Sequence, residues 1–442
     1  MTTRRKRQKV TVPASAGELV GDAIQELSGA LIQRTTDILV DGIQEFTPPH
    51  RSACFARNQI RETFAPAKHT YPRPTARDQS SSFVEVDEVY PDDSSLSVGT
   101  IIKRACLKHY DDYKTLDENE QHLVDLGANG ILDLGFGSAQ KDLFSESGWR
   151  SLLQRFSKRF DSKNPVLEVN DRKLKEIEML AKATPCEARA LAGKMESTHR
   201  GASSTLFDLY YEYLKVLEFK KYVFRKDIDI TEADVTVKIW GPLLESMMRD
   251  KADLRLKWGD SIGDSGSVSK AGFKVDVRLV QDIVSKVNNR KEQDAANVEI
   301  ARLDAPIGKI DSDRCKLFLE SKCVIDRLVQ VTGDCNMIVC GLQLAGRKIT
   351  LYSTAIESNG LYVAMKEESA TLPATEVDLP DLRKVYQVLS MFRTAATATA
   401  DITLRNHPPH PSASTNVSYT RHTWLPPRGN HHVPHLPQYF YS

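Results

Sequence analysis

Two short runs, KVDVRLVQD (Lys274–Asp282) and NVEIARLD (Asn297–Asp304), decide how this chain is read. In the first, Val275, Val277 and Leu279 alternate with Asp276 and Arg278. In the second, Val298 and Ile300 alternate with Glu299 and Ala301. A period of two puts alternate side chains on opposite faces of a strand. Each run therefore predicts a strand with one apolar and one polar face. Adjacent in a sheet, they would present Asp276 and Glu299 together.

The elements around them follow in a definite order. TEADVTVKIWGPLLESMMRD reads as a helix before the runs, with Gly241-Pro242 as a possible break. LRLKWGD is a first strand. After the acidic pair comes SDRCKLFLESKCVIDRLV, a helix with Leu317, Ile325 and Leu328 on one face. Asp311 or Ser312 is the expected cap. MIVCGLQLAG, KITLYSTAI and GLYVAMKE are further strands, the last two joined by a hairpin at Ser358-Asn359-Gly360. DLPDLRKVYQVLSMFRT closes the folded part as a helix.

The order helix, three strands with acids in the second and third, helix, strand resembles the PD-(D/E)XK, or restriction-endonuclease-like, fold. That resemblance implies a Mg²⁺ site held by Asp276 and Glu299, with the Ile300 carbonyl as a third ligand and Glu245 as an added acid from the preceding helix. Mg²⁺ takes oxygen ligands, usually one or two carboxylates plus waters. It also neutralises charge on a phosphodiester. The family's lysine belongs two residues after the glutamate, where this chain has Ala301. Arg302 alternates to the other face. The resemblance leaves Lys316 or Lys322 of the next helix, or Lys309 before it, to supply the cation, with Lys316 the catalytic candidate. Without one, the fold would persist as an inactive module. The segments NGILDLGFGSAQKDLF, EIARLDAP, DSDRCKLFLESK and ITLYSTAIESNGLYVAM also resemble uncharacterised proteins of mucoralean fungi, over about residues 96–395.

The rest of the chain sets the context. It has 442 residues and formal net charge +1. No apolar run reaches the roughly 18–20 residues that cross a bilayer, so no membrane partner is expected. The seven cysteines form no CxxC pair and read as reduced thiols. Residues 1–15 read as a basic disordered start. Its Arg4, Arg5, Lys6 and Arg7 resemble a nuclear localisation signal, with a solvated cytoplasmic tail as the alternative. Residues 16–46 read as an amphipathic helical segment, and 47–95, rich in Pro, Ser, Thr and Asp, as a disordered linker. Residues 96–230 read as a helical region and 231–395 as the restriction-endonuclease-like region. The whole is α+β: a mixed sheet flanked by helices, between disordered tails. The tail 396–442 is rich in Pro and His and without a fold of its own.

Two other features suggest ligands. FKKYVFRK (Phe219–Lys226) offers Lys220, Lys221, Arg225 and Lys226 to phosphates and aromatics to bases; the bland alternative is the end of an amphipathic helix. ILDLGFGSAQ (Ile131–Gln140) has the strand-then-glycines texture of an S-adenosylmethionine site. It lacks the acid about 20 residues on that would hold a ribose, so a plain turn is the simpler reading. The expected function is thus a nuclear nuclease-like protein acting on DNA or RNA. An inactive binding or scaffold relative, meeting protein partners through its tails, is the alternative. A SAM-dependent methyltransferase comes third.

Overall fold

A computed structural model describes residues 83–85, 87–160, 171–225, 227–251, 254–261, 275–284, 290–405, 420 and 423–424. The Arg4–Arg7 run, the 16–46 segment, most of the linker and tail, and Lys226 lie outside the described residues.

In chain order the helices are α1 (Val98–Tyr110), α2 (Glu118–Ala128), α3 (Glu146–Ser157), α4 (Asp171–Ala183), α5 (Pro185–Thr198), α6 (Ala202–Phe219), α7 (Glu232–Val235), α8 (Gly241–Met248), α9 (Ile307–Thr332) and α10 (Leu382–Arg405). The strands are β1 (Ile131–Asp133), β2 (Leu254–Ser261), β3 (Val275–Val284), β4 (Arg290–Ala301), β5 (Ile338–Ala345), β6 (Lys348–Ser358) and β7 (Leu361–Thr371). They form one mixed sheet in the order β1-β7-β6-β5-β4-β3-β2. β2, β3 and β4 make an antiparallel meander, and β5 returns parallel to β4 after the crossover helix α9. β6 and β7 continue antiparallel, and the hairpin between them turns through Gly360 at φ 75°.

The sheet has an apolar layer on each side. Val277, Leu279, Val298, Ile300, Leu342 and Leu344 pack with Tyr386, Leu389 and Phe392 of α10 and with the helices α4 to α8. On the opposite face, Leu317, Phe318 and Ile325 of α9 pack on Val339, Tyr352 and Tyr362. Each fully buried Leu or Phe contributes roughly 1.5–3 kcal/mol, so these two layers carry most of the stability.

The expected division near residue 230 is absent. β1 comes from the helical stretch and pairs in parallel with β7, and helices from 171–219 share the core with the sheet. Three residues are too few to show a strand period. Part of the stretch expected as linker, residues 83–85 and 87–95, is held against α1. Asp87 accepts hydrogen bonds from Ser97 Oγ at 2.7 Å and Gly99 N at 3.2 Å, and Glu85 pairs with the fully buried Lys103. At the other end, α10 continues through 396–405. α9 begins at Ile307, after Pro306, rather than at a cap on Asp311 or Ser312. Its end at Gly333 (φ 72°) is a left-handed stop. Among the described residues no helix is long and apolar enough to cross a membrane.

Gly241-Pro242 does not break its helix. A π-turn over Thr236–Trp240 separates α7 from α8, and Gly241 N donates to Thr236 O. The added residue absorbs the hydrogen bond that proline cannot make.

Gly130 joins the early helices to the sheet. Its carbonyl accepts from Tyr362 N at 2.8 Å, its φ is 65°, and a Cβ there would overlap the Gly360 carbonyl oxygen. Gly130→Ala is therefore expected to cost about 1–3 kcal/mol from the backbone conformation alone. The measure is a lower urea midpoint at unchanged slope. An unchanged midpoint would mean that the β1–β7 junction relaxes freely.

Candidate functional site

The β3–β4 register pairs Val277 with Val298 and turns both into the α10 layer. One step further, Asp276 stands opposite Glu299 on the α9 side. Asp276 Oδ2 accepts a hydrogen bond from Ile300 N at 2.7 Å. The two acids expected to meet are brought together, at the end of β4 where the chain leaves for α9.

α9 lays a charged stripe over this pair. Lys309, Asp313, Lys316 and Glu320 recur at steps of four, three and four, which places them along one helix face. Lys316 Nζ lies 2.8 Å from Glu299 Oε1 and 2.9 Å from Oε2, to which it donates. Glu299 is 1% exposed. One turn on, Glu320 is buried, and neither of its carboxylate oxygens has a hydrogen-bond partner. Lys309 donates to Asp313 Oδ1 at 2.5 Å and stands 4.0 Å from Glu232 of α7.

Burial and mutual repulsion set the electrostatics. Desolvation, with Glu320 and Asp276 adding to it, holds the Glu299 carboxyl well above the usual range, against the pull of Lys316. Desolvation pushes Glu320 up to about 8, with Asp294 and Asp276 adding to it against Lys316 and Arg278. Burial disfavours the Lys316 ammonium, but Glu299, Glu320 and Asp276 outweigh it and keep that group charged. Glu232 is raised by burial and by Asp276. Beneath the stripe, Arg278 Nε donates to Asp294 Oδ1 at 2.6 Å, both side chains almost wholly buried.

These residues fit a divalent cation in a limited sense. Among the described residues, no three carboxylate, imidazole or thiol groups are placed to hold a metal by themselves. Mg²⁺ needs only one or two carboxylates, with waters completing its shell. Buried acids that repel one another are the donor set a cation relieves. Glu299 Oε1 and both oxygens of Glu320 lack hydrogen bonds of good geometry. Asp276 and Glu299 are the ligands the arrangement offers.

Several expected residues stand elsewhere. Glu245 is exposed and accepts from Trp258 Nε1 at 2.5 Å, away from the acids. Glu232, one turn before the π-turn, is the acid of this segment that lies 4.0 Å from Lys309 and feels Asp276. Lys322 is fully buried on another face of α9, donating to Asp326 Oδ2 at 2.7 Å and lying 4.9 Å from the Tyr362 ring centroid. Arg302 turns outward to Asp304 at 3.0 Å. Ala301 is buried and offers no cation.

Two of the basic residues in the run at 219–226, Lys221 and Arg225, are engaged in surface pairs. Lys221 donates to Glu376 at 2.9 Å, Arg225 Nε donates to Asp227 Oδ1 at 2.9 Å, and Lys220 forms the junction between α6 and the turn after it. Phe219 is exposed with Arg189 over its ring. The glycine turn is satisfied internally. Asp133 Oδ1 accepts from Gly135 N at 2.7 Å, Gln140 bonds Asp133 N and Ile131 O at 2.8 Å each, and Arg314 donates to Phe136 O at 2.9 Å. β1 is an edge strand whose one neighbour in the sheet is β7. Among the described residues the turn has beside it β7 alone of the strands, and its polar groups are taken up by Gln140 and Arg314.

Comparison of the chain with protein-family models, with curated proteins and with solved structures finds no match.

Proposed function

We propose that this protein is a nuclease-like enzyme for phosphodiester hydrolysis in DNA or RNA, built on a restriction-endonuclease-like core. The observation that carries the reading is the convergence of Asp276, Glu299 and Lys316 at the end of β4. The surrounding order, α7–α8, the β2–β3–β4 meander, α9 and a parallel β5, is the order that fold requires. Lys316 comes from the crossover helix and brings to Glu299 the charge that Ala301 lacks.

Asp276 and Glu299 would hold Mg²⁺, which supplies Lewis-acid charge neutralisation at the phosphodiester. Lys316, 29% exposed and held in its charged form, would offer a fixed positive group to the negative charge that develops there. Glu299 orients that ammonium, and the burial of Glu299 under α9 strengthens the contact over one made wholly in water. The Arg4–Arg7 run supports a nuclear location in this reading. A second reading, an inactive binding or scaffold protein, is favoured by one observation: Lys316 already neutralises Glu299 within the fold.

Calorimetric titration of Mn²⁺, standing in for Mg²⁺, into the full chain separates the two. One site is expected, weakened at least about ten-fold by Asp276→Ala or Glu299→Ala. Lys316→Met should keep cation binding and lose cleavage of labelled single- and double-stranded DNA and RNA. Cation binding without cleavage in the unaltered chain favours the scaffold reading. Binding indifferent to both acid substitutions removes the site altogether.

A further inference from the structure

Far along the chain, two residues of the tail are held in a formed cleft. Trp424 is 2% exposed and lies edge-on to Tyr110 and Tyr113, with ring centroids 5.9 and 5.6 Å away. Its main chain is gripped from both sides by one side chain. Trp424 N donates to Asn129 Oδ1 at 2.9 Å, and Asn129 Nδ2 donates to Trp424 O at 2.9 Å. A third bond, from Asn129 Nδ2 to Asp125 O at 2.7 Å, holds the amide in that orientation. Thr423 Oγ1 accepts from the buried Lys322 Nζ at 3.1 Å.

The paired amide bonds reproduce one rung of a β-ladder, so they read an extended main chain and not a particular side chain. Side-chain selectivity comes from the aromatic pocket, which takes a large ring, and from Lys322, which takes a hydroxyl oxygen one residue earlier. Trp in a well-packed, desolvated pocket is among the residues that most often anchor an interface. We propose that this cleft, formed by α1, α2 and α9, is a peptide-recognition site. Its ligand is an extended segment carrying Trp preceded by Thr or Ser, and Thr423–Trp424 occupies it in cis as an exchangeable ligand.

The test is anisotropy of a fluorescein-labelled peptide spanning residues 417–430, titrated into the full chain and into Trp424→Ala. The variant should bind saturably, and the unaltered chain at least ten-fold more weakly, because its own tail competes. A peptide with Ala in place of the Trp, and one methylated at the Trp amide nitrogen, should each bind the variant at least ten-fold more weakly. Equal binding by both chains overturns the proposal. So does absence of binding to a variant that melts normally, or undiminished binding of the methylated peptide. If Trp424→Ala does not fold, the unaltered chain is titrated alone: saturable binding of the parent peptide, weakened at least ten-fold by the Ala and N-methyl changes, is expected, and equal binding or no binding of the three peptides overturns the proposal.

Discussion

Replacing Arg278 with Met is expected to destabilise the fold by about 3–5 kcal/mol. Arg278 is 1% exposed and Asp294 4% exposed, and the guanidinium meets that carboxylate through both Nε and Nη2. The pair lies between strands β3 and β4, under α9, where the sheet face is polar instead of apolar. Removing the cation takes away a charge that offsets the desolvation of this buried carboxylate. Arg278→Met with Asp294→Leu should recover most of the loss, since an apolar pair of similar volume is often as stable as the ion pair. Urea denaturation of the two variants checks both statements. A loss below about 1 kcal/mol for the single variant would mean that water reaches Asp294.

Glu320→Gln is expected to stabilise the protein in alkaline solution and to leave it unchanged in acid. The Glu320 carboxyl is raised from an ordinary 4.5 to about 8, first by burial and then by Asp294 and Asp276. Below about 4.5, folded and unfolded chains both hold this proton. Between about 4.5 and about 8 the folded chain holds a proton that the unfolded chain has released. Stability therefore falls as pH rises through that window and levels off above it. The glutamine carries no such proton. Its advantage should grow with pH to on the order of 2–4 kcal/mol near pH 9. Melting curves of both proteins from pH 4 to 9, with a chelator present, test this. Parallel curves would show that Glu320 ionises without penalty, and the crowding of acids around Lys316 would have to be discarded.

Much of the central region was readable because its signals are local. Val and Ile alternating with Asp276 and Glu299 mark two strands and assign both acids to one face. Lys316 was one of three lysines, with Lys309 and Lys322, that the resemblance left open, and it is the one that lies on Glu299. Glu320 was missed for a physical reason. A charged residue on an amphipathic helix normally faces water, and the stripe at 309, 313, 316 and 320 looks like such a face until the polar side of β3–β4 is placed beneath it. The π-turn between Glu232 and Glu245 is not legible in the sequence, and it rotates the two halves of the helix relative to a regular one. β4 begins at Arg290 rather than near Asn297. Its first residues, RKEQDAAN, lack an apolar alternation, since that arm is held by charge, as between Arg255, Asp282 and Glu292. Trp424, a single indole in a stretch of His and Pro, has no period to announce it.

The pairing of β1 with β7 also sets a clock on synthesis. Ile131 meets Tyr362, 231 residues later in the chain. At about 5–20 residues per second, a ribosome needs roughly 12–46 seconds to cover that span. Throughout this interval Ile131, Leu132 and Leu134, all buried in the finished protein, have no strand to rest against. The nascent chain therefore carries an unsealed seam until its last strand emerges, the stage at which an occupied chaperone site would matter most.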